Sequence, residues 1–295
     1  MIYIKFFYSD LLIKYSLNYL HYVFFIIAVI FLYKLNKTSK LINKSQNIKE
    51  SKRENMFLDI NAEKCVRDAI YKQEGIIYVS DVENIKNLKF DKYKDVESIE
   101  GIEYLKRLEE LDIWGTKITD ITPIQGLLFL KKLSLWNTKV VDLSPLKYLT
   151  SIQYLYIQET EIVDVKILSR LKKLKYINME NTPIVDLESI IDLEDLQYLN
   201  ISSTEISNLN FIDKLVNLQY LDISSTKITD LSKLEVLTNL EYLNIGKLKI
   251  DNLDVLLKLQ NLKNIHLKGT QNIFSEARGR EVIKELENKN IEIIY

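Results

Sequence analysis

Few residues in this chain could carry covalent or metal chemistry. There are two histidines, His21 and His266, and one cysteine, Cys65. His21 falls inside an apolar run, and His266 comes about two hundred residues after Cys65, so no His/Cys zinc cluster can form. A Ser-His-Asp site would have to rest on His266 alone, on an open sheet with no pocket. Neither a G-x-G-x-x-G loop nor a phosphate-loop pattern is present. The most suggestive carboxylates recur at one spacing: Asp120, Asp142, Asp164, Asp186, Asn208, Asp230 and Asn252, each 22 residues after the last. Such a column could imitate an acid/base or calcium site. Asx side chains that accept backbone N–H bonds at the start of a short helical turn explain all seven at once. The reading is therefore non-catalytic, with no cofactor and no metal.

A second set of regularly spaced residues points to recognition. Three columns share the 22-residue period. The first reads Glu110, Lys132, Tyr154, Tyr176, Tyr198, Tyr220, Tyr242, Asn264. The second reads Asp112, Ser134, Tyr156, Asn178, Asn200, Asp222, Asn244, His266, and the third Trp114, Trp136, Gln158, Glu180, Ser202, Ser224, Gly246, Lys268. Trp and Tyr dominate interface energetics. The binding candidates are therefore Trp114, Trp136, Tyr154, Tyr156, Tyr176, Tyr198, Tyr220 and Tyr242, with the first four converging near one end. Cross-strand packing is the competing role for the tyrosines.

What positions these columns is a repeat. Seven 22-residue units run without a gap from Leu108 to Asn261, and an eighth begins at Leu262 and stops after Thr270. Counting each unit from its leading Leu or Ile, apolar residues hold positions 1, 4, 6, 11, 14, 17 and 20. Positions 3 to 7 alternate, which predicts a short strand with positions 4 and 6 inward and 3, 5 and 7 outward. A fixed period of this length marks a solenoid, whose stacked strands form one parallel sheet. Pro123 and Pro145 sit where a short outer helix can begin. A degenerate unit, Leu88 through Arg107, precedes the regular ones and has one extra residue between Phe90 and Val96. Before it, Ala62, Cys65, Val66, Ala69 and Ile70 share a helical face, with Asn61 as expected N-cap and Gly75 as expected stop. Cys65 on that face reads as a small buried hydrophobe. A closing helix and strand are expected within 271–295.

The charge balance of 40 Lys+Arg against 41 Asp+Glu gives no case for nucleic acid as partner. One cysteine excludes an internal disulfide, and seven Gly with three Pro exclude Gly- or Pro-rich linkers. Residues 15–33 carry no Asp, Glu, Lys or Arg and would span about 28 Å as a helix, near the ~30 Å of a hydrocarbon core. They predict an uncleaved transmembrane anchor after a tail at 1–14, then a basic linker at 34–57. The protein would thus be a single-pass membrane protein, tethered through 15–33. Lysines after the span favour a cytoplasmic solenoid. The side is left open, because similar anchored repeat proteins are often exported. The cap and degenerate repeat occupy 58–107, and the repeats 108–270.

The repeated pattern L-x-x-L-x-L-x-x-(N/T)-x-I-x-D-L-x-x-L-x-x-L-x-x resembles the bacterial leucine-rich repeats of the internalin type, over roughly residues 58–295. The helix AEKCVRDAIYKQEG and the entry IEGIEYLKRLEELDI also resemble the N-terminal cap of such domains. The fold implied is an α/β solenoid with a concave parallel sheet, an N-terminal helical cap and a C-terminal helix-strand cap, preceded by the transmembrane helix. The function implied is a membrane-tethered, non-catalytic module that binds a protein partner on the concave face. The alternative is an exported adhesin or carbohydrate-binding receptor, whose aromatic patch would stack on sugar rings. The family's wall-anchoring motif is not found. The usual position-9 asparagine is mostly threonine here: Thr116, Thr138, Thr160, Thr182, Thr204, Thr226 and Thr270, with Leu248 the exception.

Overall fold

In the computed structural model, the structure describes residues 56–270 and 277–295. Ten three-residue strands form a single parallel sheet in sequence order. They are β1 (Asn87–Lys89), β2 (Glu110–Asp112), β3 (Lys132–Ser134), β4 (Tyr154–Tyr156), β5 (Tyr176–Asn178), β6 (Tyr198–Asn200), β7 (Tyr220–Asp222), β8 (Tyr242–Asn244), β9 (Asn264–His266) and β10 (Glu292–Ile294). From β2 to β9 each residue pairs with the one 22 further on, as in Leu111↔Leu133 and Leu199↔Leu221. Between β1 and β2 the step is 23, as Leu88↔Leu111 shows. That is where the extra residue of the degenerate unit goes.

The period works because every unit buries the same positions. Leu133, Leu135, Val140, Leu146, Leu149 and Ile152 are all fully buried, and the same set recurs through the repeats. Side chains of one unit complete the core of the next, so no unit could bury its apolar face alone. Beyond each strand the ladder continues: Gly115 N–H donates to Trp136 O at 2.8 Å and Ser203 N–H to Ser224 O at 2.9 Å. To allow this, position 8 is left-handed in every unit, with φ between 49° and 80° at Gly115, Asn137, Glu159, Asn181, Ser203, Ser225, Lys247 and Gly269. The threonines at position 9, buried except for the part-exposed Thr226, fasten the same bend. Thr182 Oγ1 donates to Met179 O at 2.6 Å, and Thr116, Thr138, Thr160, Thr204 and Thr226 make the equivalent bond.

The outer wall consists of short 3₁₀ turns such as Thr122–Gly126, Ser144–Tyr148 and Lys166–Arg170. All seven Asx residues at position 13 receive the backbone N–H two residues on, from Asp120 (Thr122 N, 2.7 Å) to Asn252 (Asp254 N, 2.7 Å). The capping role expected of this column is met at every position. Pro123 and Pro145 stand at the start of their turns.

Both ends are closed. Helix α1 (Ile60–Ala69) buries Ala62, Cys65 and Val66 against the first units. Its N-cap is Asp59 rather than Asn61, because the Asp59 carboxylate accepts from both Asn61 N and Ala62 N. The helix also stops before Gly75. Tyr71 takes the left-handed position that glycine usually fills, and Lys72 N–H returns to Arg67 O. A four-residue helix, α2 (Val79–Val82), follows. Helix α3 (Ala277–Asn288) buries Val282, Ile283 and Leu286 over the last unit, and β10 completes the sheet.

One element of the expected fold is corrected. Among the described residues no helix is long and apolar enough to cross a membrane. Their longest helix, α3, has 12 residues, below the ~20 that a span requires. The transmembrane helix at 15–33 and the single-pass localisation built on it are therefore not part of the observed fold. Residues 1–14, 15–33 and most of the 34–57 linker lie outside the described residues. The fold is the capped leucine-rich solenoid.

Candidate functional site

The open face of the sheet, expected to be concave, brings all eight sequence-predicted residues onto β2–β8 and the residues just after them. They do not lie there as freely exposed side chains. Tyr154 is 39% exposed, while the other seven are only part-exposed, because they cover one another. Strands about 4.8 Å apart bring identical aromatic residues into stacking distance. Tyr176–Tyr198, Tyr198–Tyr220 and Tyr220–Tyr242 have centroids 3.9, 4.1 and 4.3 Å apart, with planes within 11° of parallel. His266 closes the column against Tyr242 at 5.2 Å. At the other end Tyr176 meets Tyr156 at 4.7 Å and Tyr154, tilted, at 6.4 Å.

Trp114 and Trp136 form a second stack, 5.0 Å apart. The Lys94 ammonium lies 3.2 Å from the Trp114 ring centre and donates to Trp114 O. Trp114 Nε1 reaches Asp91 Oδ1 at 3.3 Å. Lys132 Nζ sits 5.5 Å from the Tyr156 ring centre. Two buried polar atoms on residues at position 7 of adjacent units have no hydrogen-bond partner among the described residues: the donor Trp136 Nε1 and the acceptor Gln158 Oε1.

Position 5 does a job that the sequence reading missed. Asp112, Asn178, Asn200, Asp222 and Asn244 each accept the N–H of position 7 in their own unit, at 2.9 to 3.2 Å. These residues cap the bend into the left-handed position 8, as the position-13 column caps the outer turns. Three of them, Asn178, Asn200 and Asp222, are under 10% exposed, next to the tyrosine stack. The sequence carries a signal for it, since position 5 is an Asx residue in most units with the same 22-residue period as position 13. Lys94 gave no such signal, because it belongs to the irregular stretch around the extra residue.

Burial moves the phenols in one direction. It pushes the Tyr156 hydroxyl up to about 12 and raises Tyr176, Tyr198 and Tyr220 as well; for Tyr198 and Tyr220 the hydrogen bond with the preceding tyrosine works against burial and the following tyrosine works with it. These hydroxyls are therefore protonated donors at physiological pH. Among the described residues no group of three or more His, Cys, Asp or Glu side chains could hold a metal ion. The Asp columns point their oxygens at backbone N–H groups instead. Cys65 is buried, donates to Lys89 O and is held as a thiol, its pKa pushed up to about 12 by burial and nearby carboxylates.

Comparison with known proteins gives the same architecture. The family model described as leucine-rich repeats (2 copies) matches residues 194–236. Internalin C2 from Listeria monocytogenes is 29% identical over 72% of this chain and 95% of its own, with a TM-score of 0.70. A leucine-rich repeat protein of Leptospira interrogans is 26% identical over 74% of this chain, which spans 56% of that protein, with a TM-score of 0.66. The repeat ectodomain of an Arabidopsis thaliana membrane receptor kinase, solved with CASPARIAN STRIP INTEGRITY FACTOR 2, shares the fold at 18% identity and a TM-score of 0.55, over 62% of this chain and 24% of its own. No curated protein sequence matches the chain. The chain thus carries leucine-rich repeats and is similar in fold to internalin C2, a likeness that agrees with the internalin-type resemblance of its repeats.

Proposed function

We propose that the open face of the sheet binds a protein partner, and that Trp114, Trp136, Tyr154 and Tyr156 with the edges of Tyr176, Tyr198, Tyr220 and Tyr242 form the contact. The observation that carries this reading is how the rings are used. Stacking on a sugar needs a free ring face. The faces of Tyr198 and Tyr220 are each covered on both sides by a neighbouring phenol, at 3.9 to 4.3 Å. Trp114 is covered by Lys94 on one side and by Trp136 on the other. What remains is a row of ring edges and hydroxyl donors, rigid and amphipathic, which suits the mixed apolar and polar surface of a protein. Rigid aromatics also lose little entropy when they are buried. The orphaned Trp136 Nε1 and Gln158 Oε1 add a donor and an acceptor that a partner's backbone can satisfy once the side chains turn outward.

A carbohydrate-binding adhesin is less well served, since Tyr154 is the ring of the column with a largely open face. Affinity capture from the native bacterium, with the full chain against Trp114→Ala/Trp136→Ala, tests the proposal. The expected result is a specific protein recovered with wild type and lost with the variant, while circular dichroism of both stays alike. Equal recovery by both, or an unfolded double variant, counts against it.

A further inference from the structure

We infer that the C-terminal end of the same face carries a subsite for an oxyanion, a carboxylate or a phosphate group, in the hollow around Gly246. For its use in recognition the subsite rests on the reading above, but its chemistry stands separately. The hollow has a volume of about 170 Å³ and is bounded by Ser225, Lys247, His266 and Lys268. It exists because position 7 has lost its side chain there. In the other units that position is Trp114, Trp136, Gln158, Glu180, Ser202, Ser224 and Lys268. A Cβ added to Gly246 would come within 2.9 Å of Lys268 O and 3.2 Å of Asn244 Oδ1.

The charge at this hollow is uncommitted among the described residues. Along this half of the solenoid Lys214, Lys227, Lys233, Lys258 and Lys263 each pair with an Asp or Glu of the preceding unit. Lys247 and Lys268 form no such ion pair among the described residues. The Lys247 stem is laid across Gly269, where an added Cβ would meet its Cγ at 3.0 Å, so the chain runs toward the unit that holds Lys268. Asp222 is a carboxylate bonded to two residues that line the hollow, Ser224 and Asn244. It is 7% exposed, and its oxygens already accept from Ser224 N, Ser224 Oγ and Asn244 Nδ2. Backbone donors are spent as well: Gly246 N–H goes to Asn244 Oδ1 and Lys247 N–H to Lys268 O. The attraction therefore comes from two ammonium groups, with the Ser225 hydroxyl and the His266 ring at the rim. That combination suits an oxyanion, which accepts from several donors at once. The site lies next to Tyr242, so an anionic group of a bound partner would be fixed where the tyrosine stack ends.

The test is a titration of the full chain, followed by the imidazole NMR signals of its two histidines, with His266→Gln to assign them. Inorganic phosphate and, separately, acetate are added at constant ionic strength and pH, with chloride as the control. The expected result is a saturable shift of the His266 signal with one or both anions, weakened at least tenfold in Lys247→Gln/Lys268→Gln. Both lysines are exposed, so that variant keeps the fold. Which anion saturates tells whether the hollow takes phosphate or carboxylate. A shift that matches chloride, or one unchanged in the double lysine variant, overturns the subsite. That outcome leaves the capture experiment with the tryptophan variant to stand or fall alone.

Discussion

Replacing Tyr198 by alanine removes the middle of a stack, and its cost can be worked from the geometry. The ring lies 3.9 Å from Tyr176 and 4.1 Å from Tyr220, nearly parallel to both. A part-exposed tyrosine gives up roughly half of its ~150–200 Å² of contact, or about 2 kcal/mol at about 25 cal/mol per Å². Each stacked pair adds about 0.5–1.5 kcal/mol beyond area, and release of side-chain entropy returns about 0.5–1 kcal/mol. The net loss is about 2–4 kcal/mol. Tyr154→Ala removes a more exposed ring with a tilted contact at 6.4 Å, and should cost about 1 kcal/mol by the same reasoning. Tyr198→Phe keeps the stack and should stay within about 1 kcal/mol of wild type. Urea unfolding of the full chain, followed by far-UV circular dichroism, measures all three. Equal losses for Tyr198→Ala and Tyr154→Ala would refute the idea that stacking holds the column.

Three further outcomes follow from buried or hydrogen-bonded groups. Thr182→Val should cost about 1–2 kcal/mol in the same unfolding assay, because Met179 O loses its 2.6 Å partner inside the wall, whereas Thr182→Ser should keep most of it. Burial works against the Asp59 carboxylate, but the backbone N–H groups of Glu97, Asn61, Ala62 and Ser98 outweigh it and hold its pKa below the usual aspartate value. A depressed folded pKa contributes stability that is present above the unfolded value, about 3.9, and is lost as pH falls through the folded value. The urea midpoint of wild type should therefore fall in that acid window more steeply than that of Asp59→Asn; identical slopes would contradict the assignment. Cys65, with its thiol pushed up to about 12, should resist iodoacetamide at pH 8 in the native chain and take up one equivalent once unfolded.

The repeat was legible in the sequence because one mechanism fixes each column. Apolar positions 4 and 6 must face inward on every strand, and position 13 must cap every outer turn, so period alone located them. The 23-residue step between β1 and β2 could be read from one extra residue before Val96. What escaped was set by context rather than by period. The cap of α1 fell to Asp59 because its carboxylate reaches two helix amides, and no pattern distinguishes it from Asn61. Exposure of the aromatic columns was overestimated, since alternation tells which face a residue points to and not whether its neighbours cover it. Lys94 over Trp114 depends on an irregular loop that the repeat does not describe. The transmembrane helix was inferred from composition over 15–33, and no spanning helix exists among the described residues.

Hydrogen exchange of the full chain with and without the captured partner tests the central claim most directly. The account predicts slowed exchange on the open face, at the strands and bends spanning 110–115, 132–137, 154–159 and 176–181, with the outer turns Thr122–Gly126, Ser144–Tyr148 and Lys166–Arg170 unchanged. Slowed exchange confined to those outer turns, with the strands and bends unaffected, would contradict it.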